Sequence, residues 1–313
     1  MMKKIILTIT PNPALDLSGI VKNLKPNEKT YVFSEQRAPG GNAINCARIL
    51  SRLQIPVVAT GFLGGSVGQE VEHLLKKENL RPRFIKVQGS TRINVTVSNS
   101  FDHQQTRLSF QGPMIKKSEK QQLFDFVKKQ NHLAMLILGG SLPSGFMVED
   151  VLRLMRLAKK KNIECIVDCP GNILSKLLAG DPTLIKPNLE EFQALTKSRV
   201  KTIAEVLKKA QSLLTEVPYI CVSSVQGGAL LITREGSYFG KIPDIKIRSS
   251  VGAGDAMVGA MAAQIFQGNR SPEQILKWGL AAAAATLGEL GTSLGQAKNI
   301  IHLYKKIHVE AVS

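Results

Sequence analysis

The chain has 313 residues, of which 43% are hydrophobic, and this is enough to bury a sizeable core in one large domain or two smaller ones. No apolar run reaches the length of a membrane-spanning helix, and no C-x-x-C pair or zinc-like histidine spacing occurs, so we expect neither a membrane span nor a structural metal. The net charge of +17 accompanies only 5% aromatic residues, which are not interleaved with the basic ones. We therefore attribute the charge to solvated helix faces and expect no nucleic-acid partner.

The N-terminal third predicts two strands and a helix that opens on a glycine pair. Lys4–Thr10 alternates with β-branched residues and predicts a strand that ends at Pro11, which is not the pattern of a signal peptide, so we expect a reduced, cytoplasmic protein. Residues 29–38 predict a second extended segment. The turn Pro39–Asn42 then opens a helix, since apolar residues recur at helical spacing from Ala43 onward. This turn is either a tight connection or a place where backbone N–H groups meet a ligand.

A β-hairpin with one polar face is predicted in the next part of the chain. Strand 56–61 and an amphipathic helix ending near residue 79 come first. Then 92–98 and 105–110 each alternate with period two, and no helix separates them. Together with residues 13–37, this hairpin can form a small sheet apart from the main body.

From about residue 115 the pattern changes to alternating helices and nearly all-apolar strands. The predicted elements are helix 118–131, strand 134–138, helix 147–161, strand 163–167, strand 183–186, helices 188–196 and 202–215, strand 219–223, and closing helices 271–287 and 295–308. The alternation predicts a parallel, doubly wound sheet that is covered on both faces. Polar residues follow four of its strands, at Gly139–Ser141, Asp168, Lys186–Asn188 and Ser223–Ser224, where such sheets bind ligands.

The stretch Ser250–Asp255 has the composition of an anion site. Two glycines flank Ala253, a carboxylate follows, and a long apolar helix begins there. Glycines let backbone N–H groups at a helix N-terminus approach a ligand, and a carboxylate beside them can serve as a general base. The alternative is that Asp255 merely caps the helix. The stretch matches neither a Walker A loop nor a dinucleotide fingerprint.

Six motifs in this order carry a resemblance to a known family. They are Asn12–Asp16, Pro39–Gly41 with Asn45, Thr91–Asn94, Gly140–Pro143, Lys186–Glu191 and Val251–Asp255. On these motifs, and over nearly its whole length, the chain resembles sugar kinases of the ribokinase/phosphofructokinase-B family, in the branch of 1-phosphofructokinase and tagatose-6-phosphate kinase. The resemblance implies a ribokinase-like α/β fold: one domain over residues 1–313 with a doubly wound, mostly parallel sheet flanked by helices. It also implies a small β-sheet lid formed by segments of about 13–37 and 88–112, which excludes water during phosphoryl transfer.

The same resemblance implies ATP-dependent phosphoryl transfer, with ATP and Mg²⁺ as cofactors. Asp255 would take the proton from the attacking sugar hydroxyl. The N–H groups of Gly252, Ala253 and Gly254 would hold the phosphoryl group, where charge develops during transfer. Lys186 would reach the nucleotide phosphates.

The remaining nucleotide and metal residues are also implied by the resemblance. Ser223 and Gly228 would line the nucleotide groove. Asn188 and Glu191 match an N-x-x-E element that helps to hold Mg²⁺, largely through water, and Asn188 would also contact the nucleotide. For this pair, a helix capping box is the structural alternative.

For the sugar, the resemblance implies that Asp16 and Asn45 bind hydroxyl groups. The rest of the implied substrate site consists of Gly40, Gly41, Asn42, Arg92, Arg107 and Ser141. The implied substrate is a phosphorylated ketohexose, fructose 1-phosphate or tagatose 6-phosphate, which would become the 1,6-bisphosphate. A homodimer formed through the lid is also implied.

The sequence departs from the family pattern at Asn42. Members of this branch usually read Gly-Gly-Lys-Gly where this chain reads Gly-Gly-Asn-Ala, and that lysine is expected to bind the phosphate that the substrate already carries. Asn42 can donate hydrogen bonds but supplies no charge, so Arg92, Arg107 or Lys29 would have to compensate. This leaves two alternatives open: a kinase of another sugar phosphate such as fructose 6-phosphate, and a catalytically weak sugar-phosphate-binding regulator.

Overall fold

The computed structural model describes residues 4–102 and 104–313. The strands are β1 (Ile5–Thr10), β2 (Ala14–Val21), β3 (Phe33–Gly40), β4 (Val57–Leu63), β5 (Arg81–Pro82), β6 (Ile85–Lys86), β7 (Arg92–Asn99), β8 (Gln105–Ser109), β9 (Leu133–Gly139), β10 (Glu164–Asp168), β11 (Leu184–Ile185), β12 (Tyr219–Val225), β13 (Gly228–Ile232), β14 (Ser237–Lys241) and β15 (Val309–Val312). The α-helices are α1 (Asn42–Arg52), α2 (Gly65–Lys77), α3 (Lys117–Lys128), α4 (Val148–Lys159), α5 (Gly171–Leu177), α6 (Leu189–Thr196), α7 (Ile203–Ala210), α8 (Ala253–Phe266), α9 (Pro272–Leu287) and α10 (Ala297–Tyr304). Within the described ranges, none of these helices combines the length and apolar character needed to cross a membrane.

The main sheet is parallel over most of its width. In the described residues it orders as β15-β14-β13-β12-β11-β10-β9-β1-β4-β5, with β6 pairing β4. All neighbours from β12 to β4 run parallel, and helices cover both faces, so the predicted doubly wound α/β fold is confirmed. Three strands at one end, β13 to β15, are antiparallel and were not predicted. They are short and lie outside the helix–strand alternation on which the prediction rested.

A second, four-stranded sheet has the order β3-β2-β7-β8. The predicted hairpin is β7 with β8, and β2 runs parallel to β7. This register places Ala14 beside Arg92 and Asp16 beside Asn94. The small sheet predicted from the sequence is therefore present, and it carries polar residues of the N-terminal motif and of the hairpin on adjacent strands.

Helix α8 is apolar all round because it is buried between α1 and α9. Gly259 permits a close approach to α1, since a Cβ atom there would lie 3.0 Å from the backbone oxygen of Cys46. The close packing brings the N-terminal turns of α1 and α8 together above the carboxyl ends of the central strands. Asn45 on α1 and Asp255 on α8 meet at that point.

Candidate active site

Gly252 begins the site as the N-cap of α8. It adopts φ +77° and ψ −1°, a left-handed conformation, and a Cβ atom there would lie 2.6 Å from Leu294 Cδ2. Among the described residues no side chain caps this helix, so the N–H groups of its first turn remain available for an anion. Asp255 stands in the first turn, one residue after Gly254, and does not act as the cap. The capping alternative for Asp255 is therefore wrong.

Asp255 is held by an amide from the other helix. Asn45 Nδ2 donates a hydrogen bond of 2.8 Å to Asp255 Oδ2. Desolvation and the nearby carboxylate of Asp168 raise the pKa of Asp255 to about 6, against the lowering effects of Asn45 and Lys186. At neutral pH this carboxylate is ionised and more basic than an ordinary aspartate, as a general base requires.

A buried ion pair lies directly beside the segment Ser250–Asp255, which is called the anion loop below. Lys186 Nζ is 3.4 Å from Asp168 Oδ1, and the two side chains are only 7% and 8% exposed. Desolvation works against the charged ammonium, but Asp168 and Asp255 outweigh it and raise the pKa of Lys186. A Cβ atom on Gly254 would lie 3.1 Å from Lys186 Nζ, so the missing side chain leaves the cation next to the loop. Asn42 Nδ2 donates to the second oxygen, Asp168 Oδ2, at 3.3 Å.

The small sheet contributes a second carboxylate. Asn94 Nδ2 donates to Asp16 Oδ1 at 2.9 Å. Burial raises the pKa of Asp16, although Asn94 and nearby arginines act in the opposite direction. A Cβ atom on Gly40 would overlap the carboxyl group of Asp16, and Gly41, the N-cap of α1, has φ +125°. Gly40 therefore leaves room for the Asp16 carboxylate, and Gly41 adopts a backbone conformation that favours glycine, with Thr10 where a Cβ atom would lie.

Arg92 connects this sheet to the end of β9. Its Nη2 atom donates to the backbone oxygen of Asn12 at 2.9 Å and lies 3.5 Å from Ser141 Oγ. Asn12 Nδ2 also donates to Ser141 Oγ, at 3.0 Å. Arg92 Nε and Asn12 Oδ1 are buried without a protein partner in the described part of the chain. Unsatisfied buried polar atoms are costly, so a polar ligand here would be stabilising.

Arg107 links the small sheet to the anion loop itself. Its Nη2 atom donates to Ser250 Oγ at 2.8 Å, two residues before Gly252. The hairpin that carries Arg107 therefore contacts the segment that leads into α8. This contact joins two segments that are 143 residues apart in the sequence.

The remaining predicted residues, Asn188, Glu191, Ser223 and Gly228, follow Lys186 at the start of α6 and along β12 and β13. Asn188 and Glu191 form a reciprocal capping box at the start of α6, with hydrogen bonds of 2.9 Å and 2.8 Å between side chain and backbone. Asn188 also bridges to Ser223 on β12. Gly228 begins β13 opposite Val225, close to the β12–β13 turn. These contacts bring Asn188, Glu191 and Ser223 to one edge of the sheet, with Gly228 at the adjoining turn.

No group of three or more histidine, cysteine, aspartate or glutamate side chains within 4–102 and 104–313 is arranged to hold a metal ion. The acceptors on this edge, Asn188 Oδ1 and Glu191 Oε2, already bind backbone N–H groups. Such a donor set does not enclose a metal by itself. It fits an ion that keeps most of its water and takes other ligands from phosphate.

A cleft of about 200 Å³ lies next to the loop that leads into the anion site. Its lining includes Ile245, Ala284, Gly288, Asn299 and His302. Small residues at the end of α9, Ala284, Ala285 and Gly288, are among its lining residues.

Three residues of the site lay outside the predicted set: Asp168, Asn94 and Asn12. Asp168 was noted as a polar strand end, and its position at the carboxyl end of β10 was the available signal. Asn94 and Asn12 stood within the motifs that carried the resemblance. Their partners, Asp16 and Ser141, are far away in the chain, so sequence spacing alone could not reveal the pairs.

Comparison with known proteins identifies the family. A sequence model of a protein family, described as pfkB family carbohydrate kinase, matches residues 12–299, which is most of the chain. The chain belongs to the PfkB family of carbohydrate kinases. The expected family is thereby confirmed, and with it the general activity of a carbohydrate kinase.

Several relatives in this family are similar over nearly their full length. ATP-dependent 6-phosphofructokinase isozyme 2 of Escherichia coli is 34% identical over 92% of this chain and 94% of its own. The 1-phosphofructokinase of Bacillus subtilis is 30% identical over 92% and 94%, and the tagatose-6-phosphate kinase of Staphylococcus epidermidis is 31% identical over 87% and 88%. The crystal structure of phosphofructokinase-2 from Escherichia coli in complex with substrates and products superposes with a TM-score of 0.91, covering 96% of this chain and 98% of that one at 31% identity.

Proposed function

We propose that this PfkB-family chain is an ATP-dependent kinase of a phosphorylated ketohexose and produces the 1,6-bisphosphate. The observation that carries the proposal is the position of Asp255. Its carboxylate has a pKa raised to about 6 and stands beside a left-handed glycine turn whose N–H groups have no side-chain cap. Lys186 supplies a positive charge next to the same turn.

In this mechanism Asp255 takes the proton from the attacking sugar hydroxyl. The hydroxyl oxygen forms a bond to the terminal phosphorus of ATP, and the bond to the leaving ADP oxygen breaks. The N–H groups of Gly252, Ala253 and Gly254 stabilise the charge on the transferring oxygens. Lys186 adds electrostatic stabilisation because its ammonium is desolvated and fixed by Asp168.

The sugar would lie between the small sheet and the N-terminus of α1. Asp16 and Asn45 would bind its hydroxyl groups, and Gly40 and Gly41 would allow it to approach the backbone. The existing phosphate would be bound by Arg92, Ser141 and Arg107. The buried Nε atom of Arg92 has no partner among the residues that the structure describes, which supports this assignment because a phosphate oxygen would satisfy it.

The nucleotide would extend from Lys186 along Asn188, Ser223 and Gly228, and its base would occupy the 200 Å³ cleft beside α9. Mg²⁺ would be held near Asn188 and Glu191, largely through water. When bound, the ion supplies positive charge that neutralises the phosphates. Asn188 and Glu191 would orient its water ligands while they cap α6.

The nature of residue 42 bears on which ketohexose phosphate is used. Fructose 1-phosphate and tagatose 6-phosphate are the substrates suggested by the branch resemblance. Asn42 carries no charge and donates to Asp168, so it does not provide the cation expected in that branch. Fructose 6-phosphate is the second candidate, because the Escherichia coli relative that is 34% identical to this chain is named a 6-phosphofructokinase.

The small sheet would act as the lid and as the dimer interface. Large apolar side chains are exposed on its strands and turns, namely Tyr31, Val32, Phe33, Phe101, Leu108 and Phe110. Several large apolar side chains exposed on one small sheet are typical of an interaction site. Packing against a second copy would cover it and would hold Arg107 over the anion loop. A cytoplasmic location stays a prediction.

The test is a coupled assay of ADP release with a panel of sugars at fixed ATP and Mg²⁺. The panel contains fructose 1-phosphate, fructose 6-phosphate, tagatose 6-phosphate and the unphosphorylated sugars, with Asp255→Asn as the negative control. We expect turnover with one ketohexose monophosphate and little with the free sugars. Binding of a sugar phosphate without ADP release would contradict the proposal and favour the regulatory alternative. Equal turnover of free sugars would contradict the assignment of Arg92 and Ser141.

A further inference from the structure

A continuous chain of hydrogen bonds runs from Asp255 to a glutamate at the end of α2. Asn45 Nδ2 donates to Asp255 at 2.8 Å, and Asn45 Oδ1 accepts from Arg48 Nη1 at 3.1 Å. Arg48 in turn donates to both carboxylate oxygens of Glu78, through Nε at 3.0 Å and through Nη2 at 2.7 Å. Arg48 is only 4% exposed, although it carries a charge. A buried arginine held on both sides has one fixed geometry.

The chemistry of Arg48 fixes which way the amide of Asn45 points. A guanidinium has only donors, so it must face the amide oxygen. The amide nitrogen is then turned toward Asp255, where it can only donate. With the amide reversed, Oδ1 would face the Asp255 carboxylate and Nδ2 would face the guanidinium, so both contacts would be repulsive. The shape of the asparagine side chain does not fix this orientation, because its oxygen and nitrogen ends are nearly isosteric.

We propose that Arg48, held in place by Glu78, is a positioning residue that orients the Asn45 amide and thereby keeps the Asp255 carboxylate ionised and correctly aimed. The proposal deepens the proposed kinase function and rests on it. Arg48 makes no hydrogen bond to Asp255 in the described residues, and the contact that links it to this carboxylate is its hydrogen bond to Asn45. Glu78 has its own role, since it pairs with the Arg48 guanidinium and prevents it from rotating away.

Other groups around Asp255 also affect its pKa. Asp168 and Asp16 raise the pKa of Asp255, and Lys186 lowers it together with Asn45. From α1, the buried thiol of Cys46 donates to the backbone oxygen of Asp255, and its own pKa is raised by burial. None of these groups is displaced when only the amide of Asn45 turns. Arg48 also lowers the pKa of Asp16 through its charge. A change in the pKa of Asp255 is therefore assigned to the amide only if it disappears when Arg48 is mutated in the Asn45→Ala background.

The first set of experiments compares pH profiles of kcat for the wild type, Arg48→Met, Asn45→Ala and the double variant. Loss of the donor to Asp255 should move the acid limb of the profile upward by about one pH unit, because a hydrogen bond to the charged form lowers a carboxyl pKa. The kcat should then fall about three-fold near pH 6.5 and close to ten-fold below about pH 5.5, where the ionised fraction falls about ten-fold when the pKa rises by one unit. The KM for ATP should stay close to that of the wild type. The double variant should be no more impaired than Asn45→Ala, since Arg48 acts through that residue.

The matched control is Arg270→Met, which removes a guanidinium bound to Glu164 at 2.8 Å near the amino end of β10, away from the site. It should leave the profile unchanged. Arg48→Lys tests the orientation argument without removing the charge, because an ammonium is also a donor only; it should keep the acid limb near that of the wild type. Urea unfolding of each variant reports stability separately from kcat.

Additive losses in the double variant, or an acid limb that does not move in Arg48→Met, would overturn the proposal. So would a shift in Arg48→Lys as large as in Arg48→Met. If Arg48→Met does not fold, Glu78→Gln serves in its place and should give a smaller shift in the same direction, whereas an unchanged profile would count against the proposal. If the wild type phosphorylates no sugar, the kinase proposal fails, and the pKa of Asp255 is instead measured by ¹³C NMR of its carboxyl carbon. An unchanged pKa in Arg48→Met by that measurement would overturn the positioning role independently of turnover.

Discussion

Replacing Asp255 with asparagine tests two consequences of placing a carboxylate beside the anion loop. The first is the capacity to take a proton in catalysis, and the second is the stability cost of a desolvated charge. The substitution keeps the shape of the side chain and keeps an oxygen that can accept the 2.8 Å hydrogen bond from Asn45. It removes the charge and the capacity to take a proton. We expect kcat to fall by about 10²- to 10⁴-fold, the range in which a positioned general base contributes. The affinity for ATP should change little.

The same substitution should stabilise the fold at neutral pH. The folded-state pKa of Asp255 is raised to about 6 from an ordinary value of 3.8, chiefly by desolvation. Above pH 6 the ionised carboxylate therefore destabilises the folded protein, by about 3 kcal/mol if the whole pKa difference is counted. The side chain is half-buried, so screening by solvent reduces this figure. We therefore expect a gain of about 1 to 3 kcal/mol, nearer the lower figure.

The stability difference between the wild type and Asp255→Asn should depend on pH in a definite direction. Below pH 3.8 the carboxyl group is protonated in both the folded and the unfolded chain, so wild type and Asp255→Asn should have equal stability there. The advantage of the variant should grow between pH 3.8 and about 6 and remain constant above. Urea unfolding of both proteins at pH 5.0, 6.0 and 7.5, where the fold is maintained, measures it. A variant that is less stable at pH 7.5, or an advantage that shrinks as the pH rises, would refute the reasoning about desolvation.

Three further predictions concern the small sheet and its glycine partner. Arg107→Ala removes the 2.8 Å contact with Ser250 and should raise the KM for the sugar phosphate much more than that for ATP; equal effects on both would contradict its role at the substrate. Gly40→Ala places a Cβ atom on the carboxyl group of Asp16 and should raise the KM for the sugar phosphate at least ten-fold. The free energy of unfolding in urea should change little by comparison, and an unchanged KM would remove Asp16 from the sugar site. Phe110→Asp introduces a charge on the exposed apolar surface and should shift the protein from dimer to monomer in light scattering, whereas a monomeric wild type would refute the dimer.

The central sheet could be predicted from the sequence because its strands and helices carry strong periodic signals. Strands such as Leu133–Gly139 are apolar throughout, and the helices between them are amphipathic. The antiparallel strands β13 to β15 lacked such a signal. Helix 202–215 was predicted as one element, but the α-helix ends at Ala210 and continues as a 3₁₀ turn over Gln211–Thr215. End positions of this kind depend on local packing and not on periodicity.

Many residues of the site could be predicted from the sequence, but the contacts between their side chains could not. The resemblance named Asp255, Asn45 and Lys186, and the structure brings these three together. It could not reveal that Asp168 holds Lys186, because the two residues lie on different strand ends. The orientation of Asn45 depends on Arg48, which in the sequence is an unremarked position on α1. Contacts between distant segments arise only when the sheets and helices pack.

Crystals grown with a nonhydrolysable ATP analogue, Mg²⁺ and the preferred sugar phosphate provide the most direct test of the account. We expect the terminal phosphorus to lie within hydrogen-bonding reach of the N–H groups of Gly252, Ala253 and Gly254. We also expect the acceptor hydroxyl of the sugar beside the Asp255 carboxylate. A terminal phosphate bound elsewhere, with that loop contacting only solvent or protein, would contradict the account.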